Sequence, residues 1–173
     1  PNSIAVIPFR TGSAADEDQQ FLAEGFTEDL IHELSLIRSL FVSSRTASST
    51  LQTQDPVEIG AALGVRYVLS GSVRRLGARV RISVTLSNTA DGGLVWSDRV
   101  QRPFDEVIEA MEDIVARVAS TVSGRIDHAE ISAARTKRPE NMTAYEYYLR
   151  GLEKHRLGGV AEHYAREARD WFR

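Results

Sequence analysis

The sequence predicts an α/β (α+β) fold: five strands, the last three in an antiparallel meander, with packed helices and a carboxy-terminal helical hairpin. Three observations carry this. A nearly continuous apolar run, Ser3-Ile4-Ala5-Val6-Ile7-Pro8-Phe9, reads as a strand covered on both faces. Apolar and polar residues alternate through Tyr67–Val100, with turn signals near Gly77 and at Asp91-Gly92-Gly93. Elsewhere, apolar residues recur at helical spacing.

In chain order, the first strand takes in Ser3–Phe9, with Pro8 limiting its ladder hydrogen bonds. A polar loop through Gly12 and Ser13 leads to a helix expected from Asp18 to Ile37. Its stripe is Leu22, Phe26, Leu30, Leu34 and Ile37, widened by Phe21 and Ile31. Leu40–Ser44 reads as a short second strand. Asp55–Gly64 reads as a short helix with full punctuation: Asp55 to cap the open amides, Pro56 at the first helical position, and Gly64 to close it in a left-handed conformation.

The meander follows. Tyr67, Leu69 and Val73 build core from its first strand, and Val80, Ile82, Val84 and Leu86 share one face of the second. Leu94–Val100 is the third strand. Beyond Pro103, the residues Phe104, Ile108, Met111, Val115, Val118, Val122 and Ile126 alternate by four and three, the seam of a long amphipathic helix. A linker is expected over 127–142 and the helical hairpin over 143–173, opened by a capping box of Thr143 and Glu146. The main domain is therefore expected to be 1–126.

With 173 residues the chain has room for one sizeable core and a small appendage. A charged fraction of 26% and a hydrophobic fraction of 42% suit a globular domain, and no run reaches the ~18 apolar residues of a membrane span. The net charge of −3 gives no global attraction to nucleic acid, so binding of nucleic acid by this chain is not expected. Zero cysteines exclude disulfides, thiolate zinc sites and a cysteine nucleophile, and fit either the cytoplasm or the periplasm. Pro1 opens the chain without a methionine, and Asp170-Trp171-Phe172-Arg173 stops it within a helical pattern. A piece of a longer polypeptide is the expectation.

No convergent catalytic set is legible. The acids Glu24, Glu28, Asp29 and Glu33 match a solvated helix face, with no second acidic cluster at ligand spacing. The histidines His32, His128, His155 and His163 are scattered over separate elements, and no metal site is expected. The serine and threonine runs lack a nucleophile elbow, and no Gly-rich phosphate loop ends in Lys-Ser/Thr, so no cofactor is expected either.

Two constellations remain. Arg66, Arg74, Arg75, Arg79, Arg81, Arg99 and Arg102 suit a basic patch on the open sheet face. Arg74, Arg79, Arg81 and Arg99 are the candidate partner-binding residues, suited to a phosphate or carboxylate through bidentate bonds. Against this, Asp91 and Asp98 are placed to neutralise them in cross-strand pairs, leaving an ordinary charged surface. The second is the helical seam, where Met111, Val115, Val118 and Val122 either pack on the sheet or supply a dimer or coupling contact.

Ser3–Phe9, Phe21-Leu22-Ala23-Glu24-Gly25-Phe26-Thr27-Glu28-Asp29-Leu30, Gly64–Arg75, Gly92–Asp98 and Tyr148–Gly151 together resemble a module of many proteobacterial proteins. It is similar to the TolB amino-terminal domain, of the type found in adenylate/guanylate cyclases and CadC-like winged-helix regulators. That resemblance implies a mixed sheet and an upstream cyclase or winged-helix output domain in the same polypeptide. It also implies tetratricopeptide repeats downstream, of which 143–173 would be the start. The expected function is a non-catalytic sensory or protein-interaction module of a bacterial signalling protein, with homodimers possible. The alternative is an envelope scaffolding domain without signalling output. The partner or ligand, and the side of the membrane, stay unassigned.

Overall fold

In a computed structural model, which describes residues 2–44, 47, 48, 50–136, 146–149 and 151, five strands form one mixed sheet. They are β1 (Asn2–Val6), β2 (Leu40–Val42), β3 (Tyr67–Leu76), β4 (Arg79–Asn88) and β5 (Leu94–Pro103), in the order β2-β1-β3-β4-β5. β1 runs parallel to both β2 and β3, and β3, β4 and β5 are antiparallel. The α/β class and the three-strand meander expected from the sequence are those observed.

β1 is fully buried along its length, as a strand covered on both faces requires. It ends earlier than expected because Pro8 has no N–H to donate. The chain nevertheless stays beside β3: the Ile7 N–H donates to the Leu69 carbonyl at 2.9 Å, the Arg10 N–H to Gly71 at 3.0 Å, and the Val73 N–H to Arg10 at 2.8 Å. Between these bonds the Phe9 N–H turns to Thr27 Oγ1, at 3.1 Å.

The first helix, α1 (Glu17–Ser35), is capped by Asp16, which accepts from the Gln19 N–H at 2.8 Å. Leu22, Phe26, Leu30 and Leu34 are buried, whereas Phe21 is 75% exposed and does not widen the stripe. Ile37 falls beyond the helix. The Phe26 ring meets Phe9 edge to face at 5.0 Å. Helix α2 (Pro56–Leu63) has the expected punctuation: Asp55 accepts from the Val57 N–H at 2.9 Å, and Gly64 closes it at φ 66°. Its Ile59 packs with Ala5, Ile7, Val65 and Val68. Thus α1 and α2 cover opposite faces of the sheet.

The helix expected from Phe104 is interrupted. A single turn, α3 (Phe104–Val107), is followed by a tight bend and then α4 (Met111–Thr136). The Met111 N–H bonds the carbonyl of Ile108, a three-residue step. That rotates Ile108 out of the seam, where it is 64% exposed. Helix α4 continues through the stretch expected as linker, as far as Thr136. Two compact units divide the chain, Pro1–Ser123 and Gly124–Arg173. Within 143–173, residues 146–149 and 151 are helical; the rest of that expected hairpin lies outside the described residues.

Candidate partner-binding face

Strand parity decides which side chains share a face. Leu69 stands opposite Leu86, Gly71 opposite Val84 and Val73 opposite Ile82, so the buried face of β3 and β4 is the one α1 covers. The intervening residues form the other face: Ser70 beside Thr85, Ser72 beside Ser83, and Arg74 beside Arg81. From β5, Ser97 stands beside Thr85, Arg99 beside Ser83 and Gln101 beside Arg81; Arg79 completes the tip of the hairpin. The four candidate residues Arg74, Arg79, Arg81 and Arg99 therefore come together on one face. It is a field of hydroxyls bounded by guanidinium groups.

One further arginine joins them. Arg10 bridges to Ser72 in parallel register, and a bridge partner shares its face. Sequence reading missed it because its placement depends on where pairing resumes after Pro8.

Arg75 and Arg102 do not belong to this patch, since Arg75 stands opposite Val80, as does Arg102. Arg75 instead braces the domain from the other side. Its guanidinium lies 4.0 Å above the Phe104 ring, one nitrogen is 3.8 Å from Asp16, and its own N–H donates to Gln19 Oε1 at 3.0 Å.

The expected neutralising acids are also elsewhere. Asp98 stands opposite Val84, on the parity of the buried face, and accepts from the adjacent Arg99 N–H at 2.7 Å. Asp91 accepts from the Gly93 N–H at 2.9 Å inside its own turn. Among the described residues, no carboxylate lies within ion-pair reach of Arg10, Arg74, Arg79, Arg81 or Arg99. Arg74 faces Arg81 directly, a like-charge pair that costs stability. Arg81 Nε is buried without a hydrogen-bond partner. Among the described residues such a face lacks counter-charge, and guanidinium groups have the geometry for bidentate bonds to carboxylate or phosphate oxygens.

The seam residues behave differently. Val115, Val118 and Val122 are buried and Met111 is half-buried, with Ile114 and Ala119 buried beside them. That stripe is wider than a two-position coiled-coil seam and matches a helix packed into its own core. As folded, these valines are occupied within one chain.

Acids that are distant in sequence converge on the helix side. Asp29, Glu33, Glu112 and Asp113, with His32, line a groove of about 460 Å³ between α1 and the start of α4. No group of three or more such side chains is arranged to hold a metal among the described residues. His155 and His163 lie outside the described residues. Nor is any described helix long and apolar enough to cross a membrane.

Residues 1–118 match the family described as HilA/YgeH-like transcriptional regulator, second domain. The chain belongs to this family. It is also 32% identical over 153 residues to a protein of Rhizobium meliloti (strain 1021) named "Putative adenylate cyclase 3", a match that covers 87% of this chain and 26% of that protein. The chain thus spans about a quarter of this relative. Among solved structures, TolB from Acinetobacter baumannii superposes with a TM-score of 0.53 at 14% identity, over 72% of this chain and 28% of TolB. The lipoprotein GNA1162 from Neisseria meningitidis gives 0.50 at 17% identity, over 69% of this chain and 97% of the lipoprotein. These likenesses establish the fold, and it is the TolB-like one expected from the sequence. The family and the relative mark the chain as a regulator-type domain.

Proposed function

We propose that this domain is the non-catalytic sensory and interaction module of a larger bacterial signalling protein. It docks an acidic partner on the open face of β3-β4-β5 and biases an output domain in the same polypeptide. The observation that carries the reading is the uncompensated arginine face, above all Arg74 directly opposite Arg81. An isolated fold gains nothing from that pair, whereas a carboxylate-bearing partner relieves it.

The matching stretch of a relative named as an adenylate cyclase, at 32% identity, supports a cyclase as the output, with a winged-helix regulator as the other form. In this scheme docking favours one of two arrangements of the whole protein, and α4 carries the difference onward along the chain. A downstream repeat region beginning near 143 is part of the same proposal.

Arg74→Glu and Arg99→Glu, both at exposed positions, separate docking from folding. Binding of poly-L-glutamate by the wild-type chain, followed by fluorescence anisotropy, is expected to fall about tenfold or more in the double variant, since two opposing charges are replaced. Arg74→Glu by itself should raise stability by about 0.2–1 kcal/mol, because it turns a like pair into an opposite one. Equal binding by both chains removes the docking reading. In the full-length protein, docking that leaves cyclase output unchanged would favour envelope scaffolding over signalling.

A further inference from the structure

The arginine face and the acidic groove lie on opposite sides of one sheet. α1 packs on the buried face through Phe26 and Phe9, and the groove is cut between α1 and α4 on that side. Arg74, Arg81 and Arg99 occupy the other face. A molecule cannot bring its own two faces together, so among the described residues neither face compensates the other in a single copy. Two copies can bring them together.

From this geometry we infer that the arginine face of one copy docks on the acidic groove of a second, head to tail. The inference rests on the docking reading above and names its partner as a second copy of this chain. Charge complementarity is the ground for it. On one side stand arginines with no ion-pair partner among the described residues; on the other, Asp29, Glu33, Glu112 and Asp113 line one concavity. At about 460 Å³ the groove falls in the range of ligand-sized clefts, so it admits side chains. A guanidinium placed there meets carboxylates suited to bidentate bonds.

The two patches differ, so the contact is heterologous. It does not close on itself as a two-fold dimer and propagates to a ring or an open chain.

The full 173-residue chain tests this by sedimentation velocity at ionic strengths of about 0.01 M and about 1 M, where the screening length falls from ~30 Å to ~3 Å. Association at low salt and monomer at high salt are expected. One variant, Arg74→Glu with Arg99→Glu, keeps only the groove; a second, Asp29→Asn with Glu112→Gln, keeps only the arginine face. All four positions are exposed. Each variant alone is expected to be a monomer, and an equimolar mixture to form a pair that grows no further. That outcome also shows both variants to be folded and competent.

A wild-type chain that stays monomeric at low salt overturns the inference, as does association that persists in either variant or a mixture that forms no pair. If wild type is monomeric yet binds poly-L-glutamate through its arginines, docking stands and the second copy falls. If it does neither, both fall.

Discussion

At Gly71 three segments meet: β3, the chain leaving β1 and, through its carbonyl, β4. A Cβ there would run into the Ser83 carbonyl oxygen and the Phe9 ring, so only glycine lets the Phe9–Phe26 pair sit on the sheet. Gly71→Ala is expected to cost about 1–3 kcal/mol as overpacking, read as a lower urea midpoint at unchanged slope. Thr27 holds the same corner by hydrogen bonding. Its Oγ1 accepts the buried Phe9 N–H and donates to the Ala23 carbonyl at 2.7 Å. Thr27→Val keeps the shape and orphans that N–H, for a loss of about 1–3 kcal/mol, while Thr27→Ser keeps the acceptor and should lose less. A larger loss in Thr27→Ser than in Thr27→Val would show that the methyl, not the hydroxyl, matters. Of this corner the sequence showed only that Gly71 sits in an apolar strand. Its neighbours depend on a chain that resumes pairing after Pro8, and no local pattern encodes that.

Short elements with strong punctuation were the most legible. Helix α2 shows cap, proline and closing glycine because each acts within a few residues of itself. The long seam was misread where the cause is not local: neither proline nor glycine marks the bend after Val107, and Ile108 fits the heptad as well as Val115 does. Its exposure follows from a tightened turn that joins α3, held by Arg75 over Phe104, to α4. Thermal or denaturant unfolding checks the assignment. Ile108→Ser should stay within about 0.5 kcal/mol of wild type. Val122→Ala, at a fully buried position, should cost about 1–3 kcal/mol. A large loss at Ile108 with none at Val122 would mean that the outward side of the seam is the one packed. The same burial bears on regulation: a contact between copies through Val115, Val118 and Val122 would have to withdraw them from the core, whereas the arginine face is already accessible.

For the whole molecule, a net charge of −3 describes neither surface. The alternation of arginines along the meander was legible, but not which arginine stands beside which, because that needs the register. Nor was the groove legible, since Asp29 and Glu112 lie far apart in the chain. The segregation has a consequence opposite to that of ordinary surface ion pairs, which weaken as salt is added. Arg74 and Arg81 stand directly opposite one another, where side-chain roots are about 4.5–5.5 Å apart, while charges on the two faces are separated by more than a layer spacing of ~10 Å. Coulomb repulsion within a face therefore outweighs attraction between faces in a single copy. Raising sodium chloride from about 0.01 M to about 1 M should stabilise the dilute monomer by up to about 1 kcal/mol, a rise of about 2–4 °C in Tm for a chain of this size. Chloride is the right anion for this, because sulfate stabilises any fold through exclusion. The variant with Arg74→Glu and Arg99→Glu, which has lost the repulsion at the hairpin, should show a smaller rise. A Tm that falls with salt in the wild-type chain would mean that attractions between oppositely charged groups dominate after all, and the arginines would then have counter-charges close by.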